Sequence, residues 1–419
     1  MHDFDFVDGK FSCEGLSVES VASQVGTPFY LYSHATLQRN LTDFDSAFSD
    51  IPHLTAFAVK ANSNLAVLRL VAKQGLGADI VSGGELYRAI QAGIDPEKIV
   101  FAGVGKTDEE IEYALEMKIQ MFNVESGDEI RAINNVALRV GKKASVALRI
   151  NPDVDPMTHP YIATGLKKSK FGIGSKFALD SLDAATQCEG VDVVGVHMHI
   201  GSQLTKVTPF VDAVKRLLGL MKQLEERGIN LRYLNIGGGL GISYQDETPP
   251  RPADLANALT PLLKDLKITL ILEPGRVIVG NAGILVTKVV YTKAGDGKNF
   301  VIVDAAMNDL LRPSLYDAYH KILPVTLKKD KSSMVVDIVG PICESGDFLA
   351  KDRELPELKQ GDLLAVMSAG AYAFTMSSNY NARPRVPEVM VSDGNIYVVR
   401  EREQYADLIK GEMIPEFLS

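Results

Sequence analysis

Between residue 53 and about residue 276, short apolar runs rich in β-branched and aromatic residues alternate with longer stretches whose apolar residues recur near the 3.6 period. This is the pattern of repeated strand–helix units around a parallel sheet. Eight such runs are legible: "LTAFAVK" (54–60), "GADIVS" (77–82), "KIVFAG" (98–103), "QMFNV" (120–124), "SVALRI" (145–150), "VDVVGVHMHI" (191–200), "RYLNIGG" (232–238) and "ITLILEPG" (268–275). Amphipathic stretches such as "SNLAVLRLVAKQG" and "VDAVKRLLGLMKQLEERG" fall between them. Eight runs with a helix after most of them predict a (β/α)8 TIM-type barrel, with an open doubly wound sheet as the alternative, because counting strands does not prove closure.

After Pro274-Gly275 the pattern changes. Residues 278–419 carry β-rich runs punctuated by Gly, Pro and Asp, with little helical period, which predicts a separate all-β domain. The strand-like "PFYLYS" within residues 1–35 is expected to join that domain, leaving 36–277 for the barrel.

Composition narrows the partners. A formal net charge of −9 and 23% charged residues argue against nucleic acid or an anionic membrane and favour a small molecule. The acidic start "MHDFDFVDGK" lacks a signal-peptide pattern and no apolar run is long enough to span a bilayer, so a cytoplasmic location is expected. Three distant cysteines, Cys13, Cys188 and Cys343, suit neither a disulfide framework nor a paired zinc knuckle, and no metal is expected.

Barrel enzymes carry their chemistry at the C-terminal ends of the strands. Here the first run ends in Lys60, the second in Asp79 and Ser82, and the fifth in Arg149 and Asn151. The sixth ends in His197 and His199, the seventh in Gly237-Gly238-Gly239, and the eighth in Glu273, Gly275 and Arg276. One lysine after a strand is usually a solvated loop residue, but six polar or glycine ends among eight runs make that reading hard to hold.

A desolvated lysine has a lowered pKa and can form a Schiff base with a carbonyl. Consecutive glycines let backbone N–H groups approach an anion, and the loops after strands seven and eight are where such barrels bind phosphate. An aldehyde and a phosphate together suggest pyridoxal 5′-phosphate, whose ring nitrogen needs a carboxylate, for which Glu273 is the candidate. His199 could stack on the ring or orient Ser202 toward the phosphate.

The segments "AVKAN" (58–62), "HMHIGSQ" (197–203), "IGGGLGI" (236–242), "EPGR" (273–276), "RPSLY" (312–316), "CESGD" (343–347) and "GAY" (370–372) together resemble the motif set of the diaminopimelate decarboxylase family. That family belongs to the fold-type-III pyridoxal-phosphate enzymes. The resemblance implies decarboxylation of meso-diaminopimelate to lysine. It makes Lys60 the Schiff-base residue, His199 the ring-stacking residue and Glu273 the nitrogen partner. Asp79, Ser202, Gly237 to Gly239, Gly275, Arg276 and Tyr372 become cofactor contacts, and Arg276, Arg312, Tyr316, Glu344 and Tyr372 substrate contacts.

It also makes Cys343 a general acid supplied by the partner subunit, and hence implies a homodimer with shared sites. Chemical logic points the same way: arginines can grip a distal carboxylate and Glu344 can accept from an ammonium. Phe57 stands where the family more often has tyrosine. The open alternatives are a related decarboxylase of ornithine, arginine or carboxynorspermidine, and a non-catalytic regulatory homologue, which would be expected to lose Lys60 or Cys343. The long stretch 151–172 is expected to cover the site.

Overall fold

The structure, a computed structural model, describes residues 2–154, 170–174, 185–327 and 332–418. Most of the 151–172 stretch therefore lies outside the described residues. The chain forms two compact units, one of residues 38–278 and one that combines residues 1–37 with 279–419.

In the first unit all eight expected runs form strands: β1 (His53–Ala58), β2 (Gly77–Ile80), β3 (Ile99–Phe101), β4 (Met121–Val124), β5 (Ala144–Asn151), β6 (Val191–His197), β7 (Tyr233–Asn235) and β8 (Thr269–Leu272). Each pairs in parallel with its neighbours in chain order. Pairing of β8 with β1 closes the ring. Closure, which strand counting left open, decides for the barrel over the open sheet.

Side chains alternate along a strand, and one set fills the interior: Ala56, Val100, Met121, Ala147, Val194 and Ile271 form an apolar cluster flanked by Leu54 and Tyr233. Four of the helices start on side-chain caps. Asn64 accepts from the Ala66 N–H, Ser82 from Glu85, Thr107 from Glu110 and Ser126 from Glu129. Each cap satisfies an N–H that the first turn leaves without a partner. They fix how abruptly each strand-to-helix turn begins, and so where the strand ends point.

Several strands stop sooner than the sequence suggests. β1 ends at Ala58, and Lys60 lies in the short 3-10 turn Val59–Ala61. β6 ends at His197 and β7 at Asn235, so His199 and the three glycines sit on loops. Past these ends the Met198 N–H still reaches the Asn235 carbonyl of β7 at 2.9 Å, whereas the Gly237 N–H bonds to a side chain, Asn235 Oδ1, at 2.9 Å.

The second unit is built on antiparallel sheet. Strand Phe29–Ser33 lies between Gly283–Gly295, antiparallel to it, and Glu388–Ser392, parallel to it. Phe11, Phe29, Leu31, Ile284, Val286, Ala365 and Val389 form part of its core. Among the described residues, no helix is long and apolar enough to cross a membrane.

Candidate active site

The barrel interior changes character one step above its apolar cluster. Two residues beyond Met121, Ala147, Tyr233 and Ile271 stand Asn123, Arg149, Asn235 and Glu273, on the same side of their strands by the period of two. With Asp79 and His197 they make a polar layer whose six members are all buried. Burial on this scale is costly wherever a polar group lacks a partner, and among the described residues Asn123 Oδ1, Asp79 Oδ1 and both His197 nitrogens have no hydrogen bond.

Glu273 is held by amides. Asn235 Nδ2 donates to its Oε1 at 2.7 Å and Asn123 Nδ2 to the same oxygen at 3.1 Å. His197 Nε2 lies 3.6 Å from Oε2. Burial alone would push the carboxyl up, but His197, Lys60 and Asn235 outweigh it and hold Glu273 well below the usual carboxylate range. Burial also pushes His197 down, so its ring is neutral near pH 7. The amides and Lys60 then remain as the stabilisers. Hydrogen bonds to a charged group contribute about 1.5–3 kcal/mol each, enough to offset a penalty of several kcal/mol for a buried carboxylate.

Asp79 is the counterexample. Its Oδ2 accepts from Lys60 Nζ, while Oδ1 has no hydrogen-bond partner among the described residues. Burial and repulsion from Glu273 push Asp79 up to about 7, with Lys60 opposing the rise. Two carboxylates at one mouth are thus driven apart, Glu273 kept ionised and Asp79 poised to hold a proton.

The three glycines allow an approach that no other residue would. A Cβ on Gly237, whose φ is +68°, would stand 2.7 Å from the Met198 carbonyl oxygen. One on Gly238 would collide with the carbonyl of Glu273. The Gly238 N–H bonds to His199 Nδ1 at 3.3 Å. Burial, then Arg149 and Lys60, push the His199 imidazole down, so it is neutral and can accept at Nδ1. Arg276 Nη2 donates to Ser202 Oγ at 3.2 Å, and Nη1 donates to Tyr244 Oη. Gly275 is buried beside it.

The barrel unit therefore gathers Lys60, Asp79, His199, Ser202, Gly237 to Gly239, Glu273, Gly275 and Arg276 at strand ends and the loops that follow. It adds Asn123, Asn235 and Tyr244, which were not singled out from the sequence, and His197, which was noted as a strand end without a role. The signal for Asn123 and Asn235 in the sequence is their parity, each a polar residue two positions after an inward apolar one, but parity alone does not say that both reach Glu273.

In the other unit, the Arg312–Tyr316 turn is tied to the loop of Cys343 and Glu344 by Ser314 Oγ donating to the Gly346 carbonyl at 2.6 Å. Arg312 is buried, its Cζ 6.0 Å from the Tyr316 ring centre. Cys343 and Glu344 are exposed. The Cys343 backbone N–H donates to Asn381 Oδ1 at 2.7 Å, and Asp347 takes the N–H groups of Met307 and Ile342, both at 2.7 Å. Tyr372 is half-buried with a φ of +53°, a strained conformation for a non-glycine residue.

Residues 34–280 match the family model described as "Pyridoxal-dependent decarboxylase, pyridoxal binding domain". The chain is 50% identical over 407 residues to a diaminopimelate decarboxylase from Aquifex aeolicus, covering 97% of this chain and 96% of the relative. It is 52% identical over 402 residues to the one from Vibrio cholerae, covering 96% of each. The crystal structure of diaminopimelate decarboxylase from M. jannaschii in co-complex with L-lysine superposes with a TM-score of 0.94 at 42% identity, over 100% of both chains. Identity at this level across nearly the whole length joins both units to one lineage, and the chain belongs to the diaminopimelate decarboxylase family of pyridoxal-dependent decarboxylases.

Proposed function

We propose that this protein is a pyridoxal 5′-phosphate-dependent carboxy-lyase that converts meso-2,6-diaminopimelate to L-lysine and CO2. The observation that carries the reading is the buried polar layer, in which Glu273 is kept ionised by amide donors beside the Lys60–Asp79 pair. Such an arrangement suits an aromatic cofactor with a protonated ring nitrogen and an aldehyde.

The remaining residues fit the same group. The Gly237–Gly239 backbone, Ser202, Gly275 and Arg276 would hold its phosphate, Lys60 its aldehyde, Glu273 its ring nitrogen and His199 its face. When bound, pyridoxal phosphate supplies a ring that takes up the electron pair left as the bond to the carboxylate breaks. The chain's part is positional and protonic. Asp79 holds the Lys60 amine near the end of β2, and its raised affinity for a proton lets it store one as that amine changes partner.

Arg312 and Arg276 would grip the distal carboxylate of the substrate bidentately, Glu344 its ammonium, and Tyr316 and Tyr372 would flank it. Cys343 would return a proton to the α-carbon once CO2 has left. Its exposure suits a group presented to a second copy of the chain, and we take the working assembly to be a homodimer with shared sites. L-lysine bound to the M. jannaschii relative supports the product assignment. An L-lysine product and a site built for a small acid also fit a biosynthetic role in the cytoplasm.

The test is CO2 release from meso-diaminopimelate, ornithine, arginine and lysine in parallel. Release from diaminopimelate alone is expected, and release from ornithine alone would overturn the assignment. Mixing Lys60→Ala with Cys343→Ala protein tests the shared site: random pairing would restore about a quarter of wild-type activity, and no recovery would refute the exchange of Cys343 between subunits.

A further inference from the structure

One buried ion pair in the barrel unit has no part in the scheme above. Arg149, in β5, donates from Nη1 to Glu125 Oε1 at 2.7 Å. The two side chains are 8% and 3% exposed. The second oxygen of Glu125 accepts the backbone N–H of Gly172 at 2.9 Å. Gly172 precedes a short strand, Ile173–Gly174, that pairs in parallel with Ile150 and Asn151 at the end of β5. Its φ is +76°, and a Cβ there would press within 3.3 Å of the Asn151 backbone nitrogen.

Phe171 completes the enclosure, its ring centre 4.7 Å from Arg149 Cζ. Behind Glu125 the fold is braced again. Its backbone N–H bonds to Glu129 Oε2 at 2.8 Å. The other Glu129 oxygen accepts from the buried Lys106, which also caps the carbonyls of Gly103 and Asn123 at 2.8 and 2.9 Å.

The arrangement matters because of what else shares the layer. Arg149 stands at the mouth with two other carboxylates, Asp79 and Glu273, and a guanidinium freed there would seek the nearest anion, since charge pairs in a poorly solvated interior are strong. Glu125 occupies Arg149, and Glu273 keeps Asn123 and Asn235 as its donors. The same carboxylate fixes the backbone that carries Phe171 onto Arg149.

We propose that Glu125 is a positioning residue of the decarboxylation site: one oxygen fixes the Arg149 guanidinium in the polar layer, the other fixes the Gly172 backbone beside it, and the two are held as one piece. The proposal rests on the reading of the barrel mouth as that site. Glu125 touches no reactant and acts through Arg149.

The test uses full-length protein with Glu125→Gln, Glu125→Asp, Arg149→Met and the double variant Glu125→Gln/Arg149→Met. Hydrogen exchange at the Gly172 amide, which needs no substrate, should quicken about tenfold in Glu125→Gln. In steady-state decarboxylation of meso-diaminopimelate, Glu125→Gln should lower kcat about tenfold or more with KM changed less than about threefold. Glu125→Asp should recover part of that loss, and it supplies the readout if Glu125→Gln fails to fold. The double variant should match Arg149→Met within about twofold, because both changes act through one group. Unchanged exchange at Gly172, or losses that multiply in the double variant, would overturn the proposal. Wild-type protein that releases no CO2 from diaminopimelate would sink the functional reading instead, while the exchange measurement still judges the bridge.

Discussion

The barrel mouth and the Cys343 loop of the other unit hold their candidate residues in opposite ways. At the barrel mouth Glu273, Asp79 and Arg149 are buried, and each is held by a side-chain partner: Asn235, Lys60 and Glu125 in turn. In the other unit Cys343 and Glu344 are exposed, on a loop pinned through its backbone by Asn381 and Asp347. Side chains are fixed in the first case, whereas in the second the backbone is fixed and the side chains are left to meet something. A network of buried charges suits a resident group that must be oriented and electronically tuned before any substrate arrives. A presented thiol suits a group that comes and goes.

The largest expected effect removes the amine. Lys60→Ala should abolish the visible absorption of the lysine-bound cofactor and lower turnover at least about a thousandfold; a surviving band would show that the aldehyde is held elsewhere. Cys343→Ala should separate the two regions, with cofactor affinity retained and kcat reduced on the order of a hundredfold. If cofactor binding falls as well, the loop is part of the resident site and the contrast fails.

Gly238→Ala probes the rigid side. The added methyl meets the backbone of Glu273, so the barrel should lose about 1–3 kcal/mol, read by urea denaturation, and cofactor affinity should drop with it. The smallest effect concerns pH. Burial pushes Asp309, in the second unit, up to about 7 from 3.8. The folded chain therefore binds a proton that the unfolded chain has released, and stability falls as pH rises from about 4 through about 7. Asp79 contributes in the same direction. Asp309→Asn should make that decline in the urea midpoint shallower, and an unchanged slope would remove Asp309 as a source.

Much of this was readable from residues in order. The eight strands follow from the apolar runs, and Lys60, Asp79, His199 and Glu273 stand out because each is polar where such a run stops. What escaped depends on facts a linear pattern does not carry. Asn123 and Asn235 look like ordinary strand-end residues until ring closure brings both to Glu273. Tyr244 lies in a polar loop and matters only because Arg276 folds back to it. Glu125 reads as one acid among several before a helix, since its partner Arg149 is a strand away and Gly172 further still. Lys60 itself was placed one step wrong, on the strand instead of the turn after it, because apolar Val59 continues the run after the ladder has ended.

The glycine loop has a mechanical consequence. The Glu273 N–H bonds to the Gly237 carbonyl at 2.9 Å, and Gly238 lies directly against the Glu273 carbonyl. On the proposed reading, the loop that meets the phosphate and the residue that meets the ring nitrogen are two jaws of one caliper. Their separation is set by backbone contact and leaves side chains no freedom to adjust it. Such a site gauges the length of its cofactor, so an analogue with a longer phosphate arm should be refused even though every polar group it needs is present.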